Sequence, residues 1–186
     1  MLSEILATYL ELFPDEKTNL LRLWQQISDN EKLNDRRNFH GHITGSGVVL
    51  SPDKTQILLI HHKLFQVWQQ PGGHWEADDE ADPLAAARRE VTEETGAAVA
   101  DYLPLDSTHP LVPLDIDSHQ VPARPEKDEP PHWHHDFRYV FISATEELSA
   151  QLQEVSGARW FPLLAPETQR IARVMKKLPN LLASHE

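Results

Sequence analysis

Residues 71–97 constrain the fold of this 186-residue chain more than any other stretch, because they specify a turn, a loop and a helix in succession. A Gly-Gly turn leads into an acidic loop, and Asp82 and Pro83 then suit the N-cap and the first position of a helix. Alanine-rich sequence favours continuation of that helix, and Gly96 lies where a helix end accepts a residue with positive φ. The sequence therefore predicts a helix between Asp82 and Gly96.

This predicted helix carries Glu90, Glu93 and Glu94 within about one turn. Three like charges this close repel one another, so they add nothing to the stability of the helix itself. A hard divalent cation would relieve the repulsion, because Mg²⁺ prefers carboxylate oxygens and keeps positions open for phosphate. The alternative is a solvent-exposed helix face on which Arg89 pairs with Glu93 at i, i+4 spacing.

The string REVTEETGA at residues 89–97 resembles the second half of the Nudix box, G-x5-E-x7-R-E-U-x-E-E-x-G-U, in which U is an apolar residue. Gly73 matches the first glycine of that box. The loop between the two matching parts is about two residues longer than the box requires, so Asp79 or Glu80 has to replace its first glutamate. The chain is therefore similar to the Nudix hydrolases, over about residues 42–178.

The order of apolar patterns predicts the fold class. HITGSGVVL and QILLIHH flank a turn and indicate a β-hairpin, further strand-like segments follow, and an amphipathic helix begins near Pro166. Strands interleaved with helices indicate an α/β sandwich with a mixed sheet, and the resemblance implies the same α/β/α arrangement. Residues 1–37 are expected to form an N-terminal helical pair ahead of a hydrolase domain at 38–186.

The N-terminal pair has an apolar stripe that includes Leu20, Leu21, Leu23 and Trp24. We expect these side chains to pack on the main body or on a second subunit, and we expect Trp24 to be a core residue. A homodimer is therefore one expected form of the protein.

The resemblance implies hydrolysis of a nucleoside diphosphate linked to another group, such as ADP-ribose, a nucleotide sugar or an oxidised nucleotide, with Mg²⁺ or Mn²⁺ as cofactor. By matching positions it implies metal ligands at Glu90 and Glu94, with Glu93 as a further ligand or as the group that orients water. It also assigns a metal-binding backbone carbonyl to Gly72, and to Arg89 the support of the site through a carboxylate.

Other candidate site residues lie outside the helix. Glu154 resembles the additional glutamate that some Nudix hydrolases use as a ligand or base, and His74 beside the glycine turn is a candidate phosphate contact. His132 and His134 share one face of a strand-like segment with Asp136. The two histidines could line the substrate cleft, could be structural, or could form a zinc site with that aspartate.

Composition excludes several classes of protein. With 17 basic and 29 acidic residues, the net charge of −12 argues against nucleic acid as a partner. The absence of cysteine excludes disulfides and thiolate ligands, and it weighs against the Nudix-fold isomerases of isoprenoid diphosphates, whose resemblance would require a catalytic cysteine. We find no leader sequence and no run of apolar residues long enough to span a membrane, so we expect a cytoplasmic protein without membrane partners.

One non-enzymatic alternative stays open at this point. A Nudix-fold sensor would bind a nucleotide without cleaving it, although such sensors usually lack some box acids, and here Glu90, Glu93 and Glu94 are all present. We expect substrate choice to depend on the proline-rich segment 104–135 and on the N-terminal helices. Trp75 and Trp133 are candidates to stack on a base or to cover the core.

Overall fold

The computed structural model describes residues 1–76, 82–149 and 155–185. Within these ranges the α-helices are α1 (Leu2–Leu12), α2 (Leu21–Ser28), α3 (Pro83–Thr95) and α4 (Ala172–Ala183), with 3-10 helices at Pro14–Leu20, Pro125–Lys127 and Pro166–Ile171. The strands are β1 (His42–Leu50), β2 (Gln56–His62), β3 (Val67–Gln69), β4 (Gly72–His74), β5 (Val99–Leu103), β6 (Asp115–Val121), β7 (His132–Ser143) and β8 (Val155–Pro162).

The strands form one mixed sheet with β1 and β7 at its centre. These two strands are parallel along the whole length of β1, from the pair His42 and His134 to the pair Leu50 and Ile142. The other pairings are antiparallel: β1 also pairs with β4 and β2, β7 with β6 and β5, and β2 with β3 and β8. The predicted mixed sheet and the predicted β1–β2 hairpin are confirmed.

Helix α3 begins and ends at the predicted residues. The Asp82 side chain accepts a hydrogen bond of 2.8 Å from the Ala85 amide, and Gly96 adopts the left-handed conformation with φ of 65°. The helix then lies close against β1 at two glycines. A Cβ on Gly45 would lie 2.5 Å from the Pro83 carbonyl oxygen, and one on Gly47 would overlap the Val91 side chain. Only glycine permits this approach.

The two faces of β1 support two separate helical layers. Val49 packs in one cluster with Val91 of α3, whereas Val48 and Leu50 pack in a second cluster with Val174 of α4. This alternation follows from the two-residue period of a strand. The layers confirm the α/β/α sandwich, with α3 and α4 on opposite sides of the sheet.

The N-terminal helices are joined to the sheet edge and to α4 by a partly buried network. The Tyr9 hydroxyl donates to Glu16 at 2.5 Å and accepts from the Ile116 amide at 3.0 Å. Lys177 of α4 lies 2.7 Å from the Tyr9 hydroxyl, 2.8 Å from Glu16 and 2.7 Å from the fully buried Asp115. One lysine therefore connects α1, the first 3-10 helix and β6.

The prediction for the apolar stripe of the N-terminal pair is partly wrong. Leu20 and Leu23 are fully buried, but Leu21 is exposed and Trp24 has 47% of its surface exposed. Leu23 and Gln26 of the short helix α2 are buried, whereas Trp24 lies beside Leu6 and Ile27 with about half of its surface open to solvent. No helix among residues 1–76, 82–149 and 155–185 is long and apolar enough to cross a membrane.

We predict that Gly45→Ala lowers the free energy of unfolding by about 1–3 kcal/mol, because the methyl group would press on α3 backbone atoms that cannot move aside independently. Gly157→Ala in β8 is the control, since a Cβ there has no atom within 4 Å. Urea unfolding of both variants measures the difference. Equal midpoints for the two variants would contradict this account of the helix–sheet contact.

We predict that Lys177→Met costs about 3–5 kcal/mol of unfolding free energy, because it leaves the buried Asp115 carboxylate without one of its cations. The adjacent and exposed Lys176 provides a matched control, and Lys176→Met is expected to stay within about 0.5 kcal/mol of the wild type. Thermal or urea unfolding of both variants tests this. A comparable loss in both would show that the network does not stabilise the fold.

Candidate active site

Two of the three helix acids lie against β4. The Gly72 amide donates a hydrogen bond of 2.9 Å to the Glu94 carboxylate, which is buried. A Cβ on Gly73 would overlap the Glu90 carboxylate, so this acid occupies the space above a residue without a side chain. Glu90 and Glu94 therefore both lie against the glycine turn, and their role as metal ligands stays a prediction.

Arg89 connects α3 to β4. Its guanidinium donates to Glu90 at 2.9 Å, to Glu93 at 3.1 Å and to the carbonyl oxygen of His74 at 2.8 Å. The first and last of these bonds hold the acid and the strand in a fixed relation. The Glu93 side chain is 53% exposed and faces solvent, unlike the other two acids.

Three sequence-predicted candidates lie outside the described residues. Asp79 and Glu80 fall in the gap at 77–81, and Glu154 falls in the gap at 150–154. The replacement of the first box glutamate and the role of Glu154 thus stay predictions.

A group of histidines lies on the opposite face of β4. His42, His74 and His134 each offer one nitrogen, and these atoms lie within 4.8 Å of one another. The parallel register of β1 and β7 places His42 beside His134, and β4 adds His74 next to Thr44. Nε2 of His132 lies 3.1 Å from Nε2 of His134.

The environment lowers the pKa of the His42, His74 and His134 imidazoles, which favours their neutral form. Burial, aided by nearby cationic groups, lowers the pKa of His74 to about 3. Burial and the surrounding histidines lower the pKa of His134 to about 2, and burial also lowers the pKa of His42. Each ring therefore retains one nitrogen lone pair.

Asp136 does not join the histidines. It accepts hydrogen bonds from Ser46 at 2.7 Å, from Thr44 at 3.1 Å and from the buried Arg138 at 2.8 Å. The zinc set considered from the sequence, His132 and His134 with Asp136, is therefore not the group that the structure brings together. His42 and His74 join His134 instead, and the pairings of β1 with β7 and with β4 are what bring them together.

Arg138 is the centre of a buried ionic group. Burial alone would lower its pKa, but Asp136, Asp117 and Asp115 raise the pKa above its ordinary value, so the guanidinium stays charged. Its bonds to Asp115 and Asp117 are 2.9 and 2.7 Å long. The aspartates of β6 and β7 are thus structural partners of this cation.

The two tryptophans differ in position. Trp75 is buried in the core cluster, which places its ring away from a stacking role on an exposed base. Trp133 is partly exposed, and the Arg22 guanidinium lies 4.8 Å from its ring centroid.

Comparison with known proteins decides the family. The NUDIX domain model matches residues 41–180, which cover most of the chain. The chain belongs to the Nudix family. A protein of Lactococcus lactis subsp. cremoris named "Probable DHNTP pyrophosphohydrolase" is 29% identical over 142 residues, which are 76% of this chain and 77% of that protein.

A solved structure of a Nudix family hydrolase from Clostridium perfringens has the same fold. It shares a TM-score of 0.55 and 22% identity, and the match covers 80% of this chain and 99% of that one. The predicted family and fold are confirmed, and the protein is a Nudix hydrolase.

We predict that Arg89→Ala lowers the hydrolytic activity of this Nudix hydrolase about 10–100-fold, because Glu90 and β4 lose the cation that holds them. The neighbouring Arg88 is exposed and lies over the Phe141 ring, so Arg88→Ala is the matched control and should change activity little. Steady-state turnover and the metal concentration for half-maximal rate measure the effect. Equal losses in both variants would contradict the bracing role of Arg89.

Proposed function

We propose that this Nudix hydrolase cleaves the pyrophosphate bond of a nucleoside diphosphate linked to another group, with Mg²⁺ or Mn²⁺ as cofactor. The observation that carries the proposal is the placement of Glu90 and Glu94 against the glycine turn of β4. The name of the Lactococcus relative, a probable pyrophosphohydrolase, supports the reaction class.

The donor set fits a hard divalent cation. Glu90 and Glu94 are four residues apart on α3 and supply carboxylate oxygens, and Gly73 leaves room beside the first of them. We propose the Gly72 carbonyl and Glu93 as further ligands. When bound, the ion would supply positive charge for the phosphate oxygens and acidify a water molecule.

The protein side chains contribute position and proton transfer. Arg89 fixes the Glu90 carboxylate relative to β4 and partly offsets the repulsion among the helix acids. Glu93 is the acid most open to water, which favours it for orienting or deprotonating the attacking water molecule. Glu154 is proposed as an additional ligand or base.

Substrate binding remains a set of proposals. Contact of His74, His132 and His134 with substrate stays a prediction. The lowered pKa values of His74 and His134 mean that these two rings offer phosphate little electrostatic attraction. ADP-ribose, a nucleotide sugar or an oxidised nucleotide are the proposed small-molecule substrates. We further propose a cytoplasmic location and a homodimer, which the exposed Leu21 and Trp24 side chains favour.

We predict that Glu94→Gln lowers kcat by about a thousandfold or more, because loss of one ligand charge removes several kcal/mol of stabilisation and each 1.36 kcal/mol corresponds to about tenfold. Glu147→Gln is the control, since this acid is exposed after β7 and lies outside the segments expected to choose the substrate. The assay follows products by chromatography with a panel of nucleoside diphosphate derivatives and each metal in turn.

The same variants separate an enzyme from a sensor. An enzyme loses turnover in Glu94→Gln while it still binds nucleotide, which calorimetry can measure. Absence of a monophosphate product from every member of the panel, with Mg²⁺ and with Mn²⁺, would overturn the proposed reaction. Unchanged turnover in Glu94→Gln would instead overturn the assignment of this ligand.

A further inference from the structure

The histidines on the face of β4 away from Glu90 have an arrangement that packing alone does not require. His42, His74 and His134 come from three different strands, yet one nitrogen of each lies within 4.8 Å of the others. The ring centroid of His42 is 4.8 Å from that of His134 and 5.1 Å from that of His74. Three imidazoles therefore converge on one small volume.

Backbone carbonyl groups fix which nitrogen of two rings carries the proton. Nδ1 of His42 lies 3.2 Å from the Asn38 carbonyl oxygen, and Nδ1 of His132 lies 2.7 Å from the Pro130 carbonyl oxygen. A carbonyl oxygen only accepts, so each Nδ1 donates, and Nε2 of His42 is the nitrogen left available to a ligand. Metal-binding histidines are commonly oriented in this way by a bond from the second nitrogen.

The Nε2 atom of His42 provides an independent indication of a ligand. The residue has only 1% of its surface exposed, and this atom has no hydrogen-bond partner among the described residues. A buried polar atom without a partner costs free energy, and native structures seldom keep one without a ligand, water or ion. A cation at the centre of the three rings would satisfy it.

His132 contacts one ring of the histidine group. Its Nε2 lies 3.1 Å from Nε2 of His134, which is hydrogen-bond distance between the two rings. This contact holds the His134 ring in place beside His42 and His74. His132 is thus a positioning residue for His134.

We propose that His42, His74 and His134 form a second metal site, separate from the acid site, that binds Zn²⁺ or a similar borderline divalent cation. Imidazole nitrogen is a preferred ligand of zinc and a poor one for magnesium. Three protein ligands leave one position of a tetrahedral ion for water or another oxygen ligand.

The opposite faces of β4 separate the two sites. Gly73 faces Glu90, whereas His74 is the next residue and belongs to the histidine group. A cation among the histidines would link β1, β4 and β7 and so stabilise the strand whose Gly72 amide bonds Glu94. The proposal does not depend on the hydrolytic reaction.

The test uses tag-free protein, freed of metal with a chelator and returned to buffer that contains Mg²⁺. Titration with Co²⁺ should produce the visible absorption of a tetrahedral site, and equilibrium dialysis should retain one Zn²⁺ per chain in competition with Mg²⁺. His42→Gln and His134→Gln should each weaken Zn²⁺ binding by more than about 100-fold, since loss of an outer partner alone costs about 10–100-fold.

Two controls make the outcome decisive. His40→Gln changes a histidine with 80% of its side chain exposed, and Glu94→Gln changes the acid site, so both should bind Zn²⁺ as the wild type does. Zn²⁺ should also raise the thermal midpoint of the wild type and not that of a folded His42 variant. The proposal is overturned if the wild type retains no Zn²⁺, or if Glu94→Gln and not the histidine variants abolishes binding.

Discussion

The close approach of α3 to β1 is the contact that brings the helix acids to β4, where the proposed chemistry would occur. Gly45 and Gly47 remove the side chains that would hold the helix away from the sheet. The same strand pairs with β4 through Gly45 and Gly73, so one short stretch of β1 positions both the helix and the turn. The acids on α3 consequently meet the backbone of β4 directly, and Arg89 closes the contact from the side. The rest of the sheet supports this junction.

A second constraint is the burial of charge at the β6 edge. Arg138, Asp115 and Lys177 form ion pairs in a region with little access to water, where an unpaired member would be costly. Because Tyr9 and Glu16 belong to this network, the first helices share an ionic centre with α4 as well as an apolar core with the sheet. The proposed division between residues 1–37 and 38–186 stays a prediction, and any such boundary would cross these bonds.

Capping residues and turn residues in the sequence predicted the ends of α3 and the β1–β2 hairpin. Asp82 and Gly96 specify the ends of α3 through capping bonds, and the hairpin follows from its turn, so both were predicted correctly. Trp24 was placed wrongly because an apolar stripe does not reveal which side of a short helix the body covers. The pairing of His42 with His134 depends on the parallel register of strands distant in sequence, which no local pattern encodes. The acids of the site were recognised by motif, and the histidine group needed the fold.

None of the three residues of β4 can be substituted without disturbing a neighbouring group. A side chain on Gly72 would collide with Ser46, one on Gly73 would displace Glu90, and His74 already belongs to the histidine group. Substitutions that leave this junction intact would therefore lie elsewhere, in segments whose side chains face solvent. The exposed 3-10 turn at Pro125–Lys127, within the proline-rich segment, is such a place. The exposed turn can thus change in sequence while the junction of α3, β1 and β4 stays the same.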